Sequence, residues 1–278
     1  MFQRSQERLS PTEYAKKLLA ALNIRDVPIY PRKIAKEMGI FVWERESDSG
    51  CDGYLICANG VWGIMINRLI KSRERKRFTV AHELGHYIID YHNITSHQCL
   101  SKNIGIVSSS TRRDEKEANE FAVELLMPGE FFKEDIRQGV VSLETIKSLA
   151  NKYKTSMIST AIRYVQLSED ICAVVISEKG RIKYFAYSES FKRGKYLCFS
   201  RNAPLRDGCY AKRLFNEGFQ IPEMHGEVLT GSWSANADDP KITMLEQSRC
   251  LPKFNQVLSL IRLEKKSNIL PIAHVIVE

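Results

Sequence analysis

The segment Arg77 to His86, RFTVAHELGH, constrains this chain more than any other stretch because it carries HExxH on a run whose apolar spacing predicts a helix. Residues four apart on a helix lie one above the other, so His82 and His86 can send their imidazoles to one point while Glu83 sits one step round. Two neutral imidazoles and a third ligand make the donor set of a catalytic metal site, where an open position lowers the pKa of water from about 15.7 to roughly 7. A carboxylate at Glu83 would take the proton of that water and pass it to a leaving amine. A plain amphipathic helix could match the same spacing by chance. Against that stand Phe78, Ala81, Leu84 and Ile88, which flank the histidines with apolar side chains, and Gly85, which lets another element approach closely.

The third ligand has three candidates. His92 lies ten residues after His82, the spacing of HExxHxxGxxH, but Ile89 stands where that pattern needs a glycine, and a β-branched residue resists the left-handed turn. If the helix instead runs on, about 100° per residue carries His92 well off the face of the other two. A carboxylate on a second helix, RRDEKEANEFAVELLM from about Arg112 to Met127, fits better. Thr111 and Asp114 make a capping-box-like start, and Pro128 ends the run. Glu115, Asn119, Ala122 and Leu126 share one face, so Glu115 can ligate while Asn119, one turn on, hydrogen-bonds a ligating histidine. Glu117 points roughly 200° away from Glu115 and reads as a solvated charge.

RFTVAHELGHYII, then some twenty-five residues, then EKEANEFAVELLMP resembles the ImmA/IrrE family of bacterial metallopeptidases. An upstream amphipathic helix, the short PRKIAKEMGI helix and a hairpin leading into RERKRFTVAHE are similar too, and the likeness covers roughly residues 10 to 168. The resemblance implies a gluzincin-like site with His82, His86 and Glu115 binding one zinc ion per chain and Glu83 as general base. It also implies a substrate class, since family members cleave helix-turn-helix transcriptional repressors, here in a stress or mobile-element response. One departure is Asp90, where the family often has a histidine; this chain has His92 instead.

Composition agrees with an intracellular protein. No apolar run approaches the ~20 residues that span a bilayer, and the polar start MFQRSQERLS is no export signal, so the expected location is the cytoplasm, with no membrane partner. The seven cysteines are odd in number and include no CxxC pair, which predicts reduced thiols. Cys99, between the two metal-site helices with His92 and His97, reads as a loop cysteine, with a latency thiolate as the sharper alternative. Net charge is +8, spread along the chain. Its densest run, KSRERKR at 71 to 77, reads as a solvated approach to the helix or a rim attracting an acidic substrate, more than as a nucleic-acid contact.

The expected fold class is α+β, in three parts. Residues 1–130 form a zincin-like metallopeptidase domain. In it Ser10-Pro11-Thr12-Glu13 caps a helix to about Leu22, a second helix runs from Pro31 to Gly39, and IFVW at 40–43 is a strand. Gly50 to Gly53 is read as a loop, and YLI and VWGIMIN pair across Asn59-Gly60. Strand 61–67 is the expected edge for binding an extended substrate. Residues 131–168 form a helix-turn-helix-like segment, with a break near Thr155-Ser156. Its second helix offers Met157, Ile158, Ala161, Ile162 and Val165, which suits a scaffold better than a DNA reader; Arg163 and Lys154 are taken as exposed. Residues 169–278 form a C-terminal α+β domain of short strands (ICAVVIS, RIKYFAY, KYLCFS, EVLTGSW, KITMLEQSR, VLSLIRLE, IAHVIVE) with a helix near CYAKRLFNEG, resembling a GAF-like sensor. Two function classes follow: a zinc endopeptidase acting on a repressor, or a DNA-binding transcriptional regulator whose metal is structural or vestigial. Glu83 favours the first, because a structural site closed by four protein ligands has no use for an unliganded carboxylate.

Overall fold

A computed structural model describes residues 9–48, 50–89, 96–100 (backbone), 113–137, 139–196, 198–234 and 241–263. The chain is α+β and forms two compact units, residues 1–140 with 144–164, and residues 141–143 with 165–278. The C-terminal IAHVIVE lies outside the described residues.

In the first unit α1 (Pro11–Ala21) begins as its sequence predicts. Ser10 Oγ accepts from the Glu13 amide, and the Glu13 carboxylate accepts from the Ser10 amide at 2.7 Å. After α2 (Pro31–Glu37), β1 (Phe41–Arg45), β2 (Cys51–Ala58) and β3 (Val61–Asn67) build a sheet completed by β4 (Ser96–Leu100), in the order β1-β3-β2-β4. The β2–β3 turn falls on Asn59 and Gly60, both with positive φ, as the Asn-Gly pair requires. Two expectations fail here. Cys51 to Gly53 already belong to β2: Cys51 pairs with Leu100 of β4, and Gly53 pairs with Ile66 of β3 and Cys99 of β4 across a bulge between Cys51 and Gly53. β3 is interior, with β1 on one side and β2 on the other, so it has no free edge to offer a substrate; the edges are β1 and β4.

Packed on this sheet are α3 (Arg73–Ile88), capped by Ser72, and α4 (Arg113–Leu126). Val80, Ala81 and Leu84 of α3 meet Phe121, Ala122, Leu125 and Leu126 of α4, Leu18 of α1, and Leu55, Ile64 and Ile66 of the sheet in one buried cluster. At roughly 1.5–3 kcal/mol for each large apolar side chain, this burial holds α3 and α4 together more strongly than any single polar contact in the unit. The segment between the two helices carries β4, not loop alone, and β4 pairs antiparallel with β2. The basic run 71–77 is largely spoken for: Arg75 forks onto buried Asp52 at 2.5 and 2.9 Å, Lys76 meets Glu44 at 2.6 Å, and Arg77 turns inward to the carbonyls of Ile29 and Tyr153.

Beyond Pro128 the chain forms α5 (Gly129–Arg137), a helix the sequence reading does not anticipate, then α6 (Leu143–Tyr153) and α7 (Met157–Leu167). The break between the last two falls where expected, with Lys154 in the left-handed region and Ser156 Oγ accepting from the Ser159 amide. Arg163, however, is not exposed. Its guanidinium is buried against the Glu124 carboxylate and bonds the Met127 carbonyl at 2.9 and 3.2 Å, while Glu124 also accepts from the Gly129 amide. Along α7 only Gln166 is exposed.

The second unit is an antiparallel sheet of β5 (Cys172–Glu178), β6 (Arg181–Tyr187), β7 (Glu223–Leu229), β8 (Thr243–Leu251) and β9 (Gln256–Arg262), in the order β6-β5-β9-β8-β7. The expected strand KYLCFS is absent; α8 (Glu189–Arg193) precedes it, and Cys198 to Ser200 run without regular structure. Helix α9 (Tyr210–Asn216) is held to the sheet by Glu246, fully buried, which accepts from the Ala211 amide, Trp233 Nε1 and Ser248 Oγ at 2.8, 2.9 and 2.6 Å.

The Arg163–Glu124 pair gives a direct expectation. Arg163→Met should destabilise the first unit by about 3–5 kcal/mol by stranding Glu124 without its counter-charge, and adding Glu124→Leu should recover most of that loss. Hydrogen exchange at the α4 amides reads this unit separately from the second. Equal exchange in wild type and Arg163→Met would mean that the pair carries no such weight.

Candidate metal centre

The site is built where α3 and α4 press together. Gly85 sits at the contact: a Cβ there would lie 3.1 Å from Ala118 Cα and 3.1 Å from the Phe121 ring, so only glycine lets α4 come this close. That approach brings Glu115, one turn before Asn119, over the two histidines one turn apart on α3. His82, His86 and Glu115 are all buried, and their donor atoms lie within 4.8 Å of one another. His82 Nε2 is 3.0 Å from His86 Nε2 and 3.3 Å from Glu115 Oε2, and His86 Nε2 is 3.7 Å from Glu115 Oε1.

Asn119 decides which imidazole nitrogen is available. Its Oδ1 is an acceptor only, so His82 Nδ1–H donates to it at 3.0 Å, and the lone pair of Nε2 is left facing His86 and Glu115. The Phe78 ring lies beside His82, with centroids 6.3 Å apart, and the two imidazoles meet edge to face.

Glu83 lies beside this group and is fully buried, and neither of its oxygens makes a well-formed hydrogen bond among the described residues. Burial pushes its carboxyl well above the usual carboxylate range, and the charge of Glu115 pushes it further. The Leu55 amide of β2 offsets part of this. Two buried carboxylates beside two converging imidazole nitrogens form a donor set that a divalent ion balances.

Strand β2 closes the site from the other side. A Cβ on Gly53 would fall 2.4 Å from Thr79 Cγ2 and 3.3 Å from Glu83 Oε1, so this glycine lets the strand pass directly over the Thr79 and Glu83 face of α3. The sequence reading misses Gly53 because Gly50, Asp52 and Gly53 together look like a turn, whereas Gly53 lies in β2 beside a bulge.

Of the competing residues, Glu117 stands outside the group and pairs with Arg113 at 2.9 Å. Asp90, His92 and the Thr111 cap lie outside the described residues, as do the side chains of His97 and Cys99, whose backbone belongs to β4.

The fold and the donor set together define a peptidase-type metal centre on an HExxH helix. Residues 35–164 match the family model described as the IrrE N-terminal-like domain, a peptidase family, and the chain carries an ImmA/IrrE-family metallopeptidase domain. Among solved structures, a Mycobacterium tuberculosis transcriptional regulator is similar in fold, with a TM-score of 0.57 at 14% identity over 91% of this chain and 87% of that chain. No curated protein matches the sequence.

Gly85→Ala tests the contact. It should gain about 1 kcal/mol of helix propensity but lose roughly 1–3 kcal/mol to crowding against Ala118 and Phe121, and it should lower metal uptake by moving Glu115 off the histidines. Denaturation and metal analysis of the purified variant check both, and unchanged metal content would show that α4 need not sit this close.

Proposed function

We propose that this chain is a zinc-dependent endopeptidase that hydrolyses a peptide bond in a protein substrate, a helix-turn-helix transcriptional repressor, and so relieves repression in a stress or mobile-element response. His82, His86 and Glu115 are the metal ligands and Glu83 is the general base. The observation that carries the reading is Glu83: a fully buried carboxylate beside the three-donor group and outside it. A metal held for structure is closed by four protein ligands and leaves nothing for such a carboxylate to do.

His82, His86 and Glu115 would hold the zinc ion, which would supply Lewis acidity and lower the pKa of water from about 15.7 to roughly 7. Glu83 takes the proton of the attacking water and delivers it to the leaving amine. Asn119 keeps His82 in the tautomer that ligates, and Phe78 covers the His82 ring. An extended substrate adds to the outer edge of β4, the edge of the sheet on the β2 side. The second unit acts as a GAF-like sensor, a reading supported by its single antiparallel sheet with helices packed on it.

The DNA-regulator reading is weaker, because Gln166 is the one exposed residue of α7 and its one arginine is committed to Glu124. No helix among the described residues is long and apolar enough to cross a membrane, and the six described cysteines are free thiols. Both agree with a cytoplasmic protein.

Three variants test the roles. Glu83→Gln should keep its metal and lose cleavage of a cognate repressor by at least ~10²-fold, the usual share of general acid–base work. Equal turnover by wild type and Glu83→Gln would sink the mechanism. Glu115→Ala should purify with little metal while Glu117→Ala and His92→Ala keep theirs, and a metal-free His92→Ala beside a loaded Glu115→Ala would assign the third ligand to His92.

A further inference from the structure

We propose that the free edge of β1 is a docking surface for a second copy of this chain, joined as an antiparallel β1–β1 ladder about a twofold axis through Trp43. The argument starts from the direction of the peptide groups. β1 ends the sheet and runs parallel to β3 in the register Phe41 to Gly63 through Arg45 to Asn67, and the Arg68 amide donates to the Arg45 carbonyl at 2.9 Å. Because peptide direction alternates along a strand, Trp43 and Arg45 turn their N–H and C=O toward β3, and Val42 and Glu44 turn theirs outward. Among the described residues nothing bonds these four outward groups. An unpaired edge of this kind is a template for another strand unless it is covered or broken, and β1 has neither proline nor bulge.

The side chains are as unusual as the edge. Phe41 is 66% exposed and Trp43 40%, with Arg45 exposed beside them on the same face. The Trp43 ring is fixed over Gly63, where a Cβ would lie 2.3 Å from Cζ3, so a large apolar surface is held flat toward solvent. Such a surface on an open edge marks an interaction site.

The strand FVWER is complementary to itself run backwards. With the twofold axis at Trp43, Val42 faces Glu44 of the second copy as a hydrogen-bonded pair, and the reciprocal pair uses the remaining outward groups. Trp43 then sits at the non-hydrogen-bonded position opposite its own counterpart with its ring turned back over Gly63, and Phe41 lies beside Arg45 of the second copy, cation to ring. Neighbouring registers are poorer. Sliding by two residues one way sets Glu44 against Glu44, like charges directly opposite. Sliding the other way leaves Glu44 and Arg45 unpaired.

Sedimentation of the full-length chain over a range of concentrations tests the proposal. Wild type should shift from a 31.9 kDa species to a two-chain species as concentration rises. Val42→Pro removes an outward N–H and none of the bonds to β3, and Phe41→Ala removes the ring on which Arg45 of the second copy packs; each should move the association to at least about tenfold higher concentration. The register is read by oxidation. Trp43→Cys should give a disulfide-linked dimer above the wild-type background set by exposed Cys198, because the two Cα atoms would lie about 4.5 Å apart, within the disulfide range. Phe41→Cys should not, since its two copies would be four residues apart along the ladder, roughly 14 Å. A single-chain species at every concentration would overturn the proposal. So would a wild-type dimer that Val42→Pro leaves unchanged and Trp43→Cys fails to cross-link.

Discussion

Everything at the metal centre depends on how closely α4 approaches α3. The donor residues are far apart in sequence, and neither helix could hold an ion alone: α3 supplies two nitrogens on one face, and α4 supplies the carboxylate and the amide that orients one of them. The force holding the helices is apolar burial by Leu84, Phe121, Leu125 and their neighbours, which is non-directional and would tolerate a range of distances. Gly85 sets the distance actually reached, and Gly53 does the same for the strand on the other side of Glu83. The centre is therefore positioned by two missing side chains within a general hydrophobic packing, which is how a few ångströms of ligand geometry can be specified by forces that carry no direction.

The local parts of this arrangement were legible in the sequence, and the long-range parts less so. His82, Glu83 and His86 follow from spacing on one helix, and Glu115 with Asn119 from spacing on another, because helical periodicity relates residues three or four apart without knowledge of the fold. The capping box at Ser10 and the Asn59-Gly60 turn are also local, and both are present as read. What failed was sheet order. Whether strand 61–67 is an edge depends on β1 pairing with it in parallel, a contact made by a crossover through other elements, and nothing in residues 61–67 records it. The same blindness hid α5 and made the strand of KYLCFS, where aromatic residues that pack on the sheet of the second unit imitate a β pattern.

Arg163 shows a different failure. An arginine on an otherwise apolar helix looks like a solvent-facing or phosphate-binding group, and the chance of an internal acid is small enough to ignore until the acid is found. Glu124 lies on α4 beyond the metal-binding face, and with the Met127 carbonyl and the Gly129 amide it encloses the guanidinium at the junction of α4, α5 and α7. The helix that most resembles a DNA reader is thus braced against the end of the helix that carries Glu115.

That brace has a consequence for how chains of this kind can diverge. Removing either charge alone leaves the other buried and opposed by nothing, so single replacements at 124 or 163 pass through a poorly folded intermediate, whereas a joint change to apolar residues does not. The two positions form one unit of inheritance, free to be exchanged for a greasy contact together and closed to drift one at a time.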